Sequence, residues 1–165
     1  MRPSQLSEAD FLRRFGAVYE ASPWVAEAVW SQAQSGALDA PPDLAAAMCQ
    51  VVEAASEARR LALIRAHPEL ASRTRMAEAS VREQSGAGLD QCSAEEFAAF
   101  QRLNDAYNAR FGFPFIVAVK GLTRADILAA FEARLAADPA AEFATALAQI
   151  HRIAGFRLVE LMAQP

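Results

Sequence analysis

Helix punctuation dominates this sequence and leaves almost no room for a sheet. Ser7 with Asp10, Ser93 with Glu96 and Thr123 with Asp126 each set a hydroxyl residue three positions before an acid. That spacing is a capping box: the hydroxyl accepts a forward backbone N–H while the acid reaches back to the start. Ser22-Pro23 reads as an N-cap followed by proline at the first helical position, and Asp138-Pro139 opens the longest apolar-periodic run. The first box starts a helix through Phe11, Phe15 and Val18. Pro41 and Pro42 restart the chain for "PPDLAAAMCQVVEAA", and Ser56 opens a segment that Pro68 stops. Gly36 and Gly112 close helices, and Gly86 reads as the left-handed residue ending a segment from about Met76 to Ser85. Alanine favours helix throughout.

The one strand-like run is "FPFIVAV", Phe113 to Val119, between Gly112 and Gly121. A lone apolar run cannot make a sheet, so it is either a buried extended connector or a distorted helical turn. The expected fold is all-α: a single-domain helical bundle over 1–165, with about seven to nine helices and one short extended apolar connector.

At 165 residues, 53% hydrophobic and 22% charged, the chain has the material for a folded core. Its net charge of −4 argues against a nucleic-acid partner, which calls for a basic surplus. Cys49 and Cys92 are too few and too far apart in sequence for a zinc site or a disulfide framework, so they read as apolar fillers in a reducing compartment. No apolar stretch approaches the ~20 residues of a membrane span, and "MRPSQLSEADF" has no apolar signal core. A cytoplasmic protein without a membrane partner is the expectation.

Function is sought where polar groups occupy positions that periodicity assigns to the core. In the last helix Phe143, Leu147, Ile150, Ala154 and Leu161 form one stripe at 100° per residue, and Arg157 falls inside it while Arg152 points away. An arginine keeps its charge, so Arg157 needs an anion, either a structural carboxylate or a ligand. Asn104 lies among Phe97, Phe100, Tyr107 and Phe111, as a core amide or a ligand contact. His67 ends a helix and precedes Pro68, which forces it toward extended backbone. A helix C-terminus favours the imidazolium, so His67 suits a general acid as well as a carbonyl cap. His151 reads as a surface residue. Ser80, Glu83 and Gln84 stand at i, i+3 and i+4 and share a face, either ligand-reading or solvated. Gly86-Ala87-Gly88 is no phosphate loop: Gln91 stands where a third glycine belongs, and a helix precedes it.

These residues sit in a recognisable series. "FGAVYEASPWVAEAVW", "AHPELA", "EQSGAGLD", "FQRLNDAYNARFGFPFIVAVKG", and "EARL" followed by "IHRIAGFRL" resemble, in order and over nearly the whole chain, the OHCU decarboxylase family. OHCU is 2-oxo-4-hydroxy-4-carboxy-5-ureidoimidazoline. The resemblance implies an all-α, cofactor-free and metal-free carboxy-lyase, often a homodimer, that turns this small-molecule substrate into (S)-allantoin and CO2 at the end of urate-to-allantoin conversion. It implies His67 as catalytic proton donor with Glu83 as its catalytic acid–amide partner's first member. Pro68, Ser80, Gln84, the run Phe115, Ile116, Val117, Ala118 and Val119, and Arg157 are implied as substrate-binding, with Arg152 the competitor for the last place. Nothing is carried over for Ala71 to Met76. Two other readings stay open: another lyase or hydrolase of purine or ureide catabolism on this scaffold, and a non-enzymatic helical binding module. The module reading expects Arg157 and Asn104 in buried structural pairs, with no small pocket beside His67.

Overall fold

Local capping fixes most of the helices seen in the computed structural model, which describes residues 2–72 and 78–164. Eight α-helices occur among them: α1 Glu8–Phe15, α2 Trp24–Ala33, α3 Pro41–Glu53, α4 Glu57–Ala66, α5 Glu78–Gly86, α6 Ala94–Phe111, α7 Arg124–Leu135 and α8 Pro139–Ala163. Two 3-10 turns, Pro3–Gln5 and Leu89–Gln91, complete the elements, so the all-α expectation holds. Both boxes before α6 and α7 are complete: Ser93 and Thr123 accept from the N–H of Glu96 and Asp126, whose carboxylates accept from the cap N–H in return. At α1 only half of the device forms, because Asp10 takes the Ser7 hydroxyl rather than its backbone N–H.

Three boundaries differ from the sequence reading. Helix α1 stops at Phe15, and Val18 is buried beyond it. Helix α2 starts at Trp24, with Pro23 already helical as its cap and no side-chain cap bond. Gly86 is the last helical residue of α5, and the left-handed residue is Gly88, with φ 76°. This backbone conformation selects glycine; a Cβ there would also approach Arg124 Nη1, the flexible end that donates to the Gly88 carbonyl at 3.1 Å, to 2.9 Å. The expected start of α5 at Met76 lies outside the described residues.

Contacts divide the chain into two compact units, Met1–Ala66 with Ile150–Pro165, and His67–Gln149. The first unit buries Phe11, Phe15, Val25, Val29, Leu44, Met48 and Leu63. Each such side chain removed from water contributes roughly 1.5–3 kcal/mol. The second unit is built around Tyr107, whose ring meets Phe111, Phe113, Phe115 and Phe131 at centroid distances of 4.5 to 5.9 Å. Phe115 stacks on Phe131 at 3.9 Å and 10°. This aromatic packing anchors the apolar run: residues 114–119 form neither helix nor strand, which settles the earlier choice in favour of a connector.

Candidate active site

In the second unit, the end of α4 delivers His67 to a short segment that runs to Ala71. His67 is 7% exposed and Pro68 half-buried. Three amide side chains fasten the residues that follow. Gln84, on α5, accepts from the Ala71 N–H through Oε1 at 3.1 Å and donates from Nε2 to the Glu69 carbonyl at 3.2 Å. Asn104, on α6, donates to the Leu70 carbonyl at 3.0 Å, and Asn108 donates to Glu69 Oε1 at 2.6 Å. Ala71 takes φ 52°, a left-handed conformation that a non-glycine residue holds only when its surroundings impose it. The fastened segment is therefore a rigid platform for His67. Asn104 is 1% exposed, and its Oδ1 lacks a hydrogen-bond partner among the described residues.

Ser80 and Gln84 are both buried, at 3% and 7% exposure, while Glu83 is half-buried on the same helix. The i, i+4 face read from sequence is thus turned inward, and Gln84 joins it to the His67 segment.

The connector is gripped from two helices. Arg134, on α7, donates to the Ile116 carbonyl and lies 4.4 Å from the Phe115 ring centroid. Gln149, on α8, accepts from the Ala118 N–H at 2.9 Å. Arg134 Nε also donates to Glu142 Oε1 at 2.7 Å, and that same oxygen accepts from the Tyr107 hydroxyl. Glu142 is 1% exposed, so these donors stabilise a carboxylate that burial alone would disfavour. Burial first, then the Glu142 carboxylate, pushes the Tyr107 phenol well above its ordinary value. Phe115, Ile116, Ala118 and Val119 are buried and Val117 half-buried.

Arg157 belongs to the first unit, where Nη1 donates to Glu20 Oε2 at 3.1 Å and to the Val18 carbonyl at 3.2 Å. The helical phase distinguished the two arginines correctly: Arg157 is buried and Arg152 exposed. His151 departs from its surface reading, since Nδ1 meets the Tyr19 hydroxyl at 2.8 Å and Nε2 meets Glu53 Oε1 at 2.9 Å. Sequence reasoning passed over Asn108, Arg134, Glu142 and Gln149. An arginine and an acid flanking the Asp138-Pro139 break were the available signal for one pair; Gln149 gave none.

These features define an all-helical protein whose second unit carries a buried histidine and, on α5, a buried amide that fastens the segment after it, with a half-buried acid beside that amide. The sequence profile described as OHCU decarboxylase matches residues 4–159, and the chain belongs to that family. It is 45% identical to the 2-oxo-4-hydroxy-4-carboxy-5-ureidoimidazoline decarboxylase of Haloferax volcanii, over 95% of this chain and 92% of that one. A crystal structure of (S)-allantoin synthase superposes with a TM-score of 0.78 at 34% identity, over 96% of this chain. This chain spans about half, 52%, of the length of that structure. A crystal structure of OHCU decarboxylase in the presence of (S)-allantoin superposes with a TM-score of 0.71, over 96% of this chain and all of that one. At 22% identity this second likeness speaks for the fold alone.

Proposed function

We propose that this enzyme decarboxylates OHCU to (S)-allantoin and CO2, the last step of urate-to-allantoin conversion. The observation behind this reading is the likeness to decarboxylases of that substrate along nearly the entire chain. The pinned His67 segment supplies a physical basis. Breaking the C–CO2 bond leaves an electron pair that the substrate's own conjugated ring takes up, and a proton must then reach the ureido-bearing carbon. The protein's work is orientation, exclusion of water and protonation from one side.

In this reading His67 is the proton donor, and a positioned general acid contributes roughly 10²–10⁴-fold. Glu83, Ser80 and Gln84 face the ureido and ring groups, with Gln84 also holding the His67 segment. Pro68 and the connector from Phe115 to Val119 wall the substrate, and backbone groups of the connector read its ring edge. Arg157 binds the anionic substrate through charge-assisted hydrogen bonds while keeping its Glu20 contact. The chain acts as one domain, as a homodimer, in the cytoplasm. Free Cys49 and Cys92 suit that compartment, and no described helix is long and apolar enough to cross a membrane.

The binding-module reading expects buried structural pairs at Arg157 and Asn104, and both are present. They are equally what a preorganised active site requires, and full-length likeness to decarboxylases favours the enzyme. The test is direct. OHCU is generated from urate by the two preceding enzymes, this protein is added, and circular dichroism is followed. Rapid appearance of optically active allantoin is expected; unaltered decay to racemate refutes the reading.

A further inference from the structure

The first unit gathers three metal-ligating side chains that the decarboxylase reading does not use. Cys49 and Glu53 stand four residues apart on α3, so they share a face, and His151 of α8 meets them there. Cys49 Sγ, a Glu53 carboxylate oxygen and a His151 ring nitrogen all lie within 4.8 Å of one another. The side chain of His151 is 17% exposed and that of Glu53 is 49% exposed, so the cluster is reachable from solvent.

The imidazole is already oriented. Tyr19, 2% exposed, engages Nδ1 and leaves Nε2 toward Glu53. A histidine that ligates through one nitrogen characteristically uses the other in a hydrogen bond that fixes its ring. We propose that Cys49, Glu53 and His151 form a binding site for a divalent transition metal of the zinc type, with water in the fourth position, which clips α3 to α8.

The donor set selects the metal. Thiolate and imidazole suit zinc and its first-row neighbours, whereas magnesium and calcium require oxygen ligands. Tetrahedral zinc with bonds of about 2.0–2.3 Å puts its ligand atoms roughly 3.3–3.6 Å apart. The widest pair must therefore close by about 1.5 Å at most, while Nε2 and Glu53 Oε1, now 2.9 Å apart, separate slightly, and the half-exposed Glu53 side chain has room to move. Binding changes the proton arrangement in a defined way. Nε2 gives its position to the metal, the ring proton resides on Nδ1 and is donated to the Tyr19 oxygen, and the Cys49 thiol proton leaves to solvent. Another charge facing the cluster is Arg60, whose Nη1 lies 3.7 Å from Glu53 Oε2 and competes for that carboxylate.

The test uses the full chain stripped with chelator and titrated with Co²⁺, then Zn²⁺. One equivalent of Co²⁺ should produce the thiolate-to-cobalt charge-transfer band together with the intense visible bands of a tetrahedral ion, and Zn²⁺ should bleach them. Zn²⁺ should also raise Tm progressively with concentration, as expected for a ligand of the native state. Cys49→Ser and His151→Ala should abolish both effects, and Cys92→Ser should keep them. Glu53→Gln alters a half-exposed side chain, keeps the fold, and should weaken binding at least about tenfold. Absence of the band in the parent protein, or a band untouched in Glu53→Gln and His151→Ala, overturns the site. Activity toward OHCU is not the readout, so this proposal and the decarboxylase reading fail separately.

Discussion

Gln84 makes two hydrogen bonds to backbone from a buried side chain, and the consequence is measurable. Gln84→Leu would leave the Ala71 N–H and the Glu69 carbonyl unpaired beside a buried histidine. Each such loss costs about 1–3 kcal/mol, so urea unfolding should show a deficit on the order of 2–5 kcal/mol. The catalytic deficit should lie in kcat more than in KM, because the platform under His67 loosens; unchanged stability would remove the clamp from the account. Arg157 poses a different problem, since a structural pair and a substrate contact make the same demand for a buried cation. Arg157→Ala leaves Glu20 without its guanidinium and should cost about 3–5 kcal/mol. Replacing the pair together, Arg157→Met with Glu20→Leu, should restore most of that stability yet leave activity low. Recovery of both would assign Arg157 to the fold alone. The sequence demanded an anion for Arg157 but had no means of naming one 137 residues away. His151 was misread for the same reason: Tyr19 and Glu53 reach it only through the tertiary fold.

The helices were legible where their signals are local. Ser93 with Glu96 and Thr123 with Asp126 act within one turn, so spacing alone identified them. The stop of α5 was harder, because Gly86 and Gly88 both permit a left-handed turn and only Gly88 takes it. The caps also imply a pH dependence. Backbone N–H groups of Ser93 and Thr123 are the leading cause that lowers the Glu96 and Asp126 carboxyls below their ordinary values of 4.5 and 3.8. A folded value below the unfolded one means the stabilisation is full above the unfolded value and is lost as pH falls through the folded one. The parent protein should therefore lose Tm on acidification from about pH 5 to pH 3. Glu96→Gln combined with Asp126→Asn should start from a lower Tm at pH 7 and fall less steeply over that interval. Parallel slopes in thermal melts would show that other carboxylates govern the acid limb.

At the scale of the whole chain, the path leaves the first unit after Ala66, builds the second through Gln149, and returns. The crossing back occurs inside one uninterrupted helix, Pro139–Ala163. A helix whose two ends belong to different cores transmits the loss of either, because fraying one end removes packing and hydrogen bonds from a shared cooperative element. One-domain behaviour is the expected outcome, and the tryptophans allow it to be seen. Both Trp24 and Trp30 lie in the first unit, so their fluorescence follows that unit, whereas far-ultraviolet circular dichroism follows every helix. The two melting curves should coincide. At ~0.7 kcal/mol per residue the calorimetric enthalpy should be on the order of 115 kcal/mol near 60 °C, with a van't Hoff value equal to it. A fluorescence transition displaced from the dichroism transition, with a van't Hoff enthalpy near half the calorimetric one, would mean that α8 uncouples between Gln149 and Ile150. The units would then fold as separate domains.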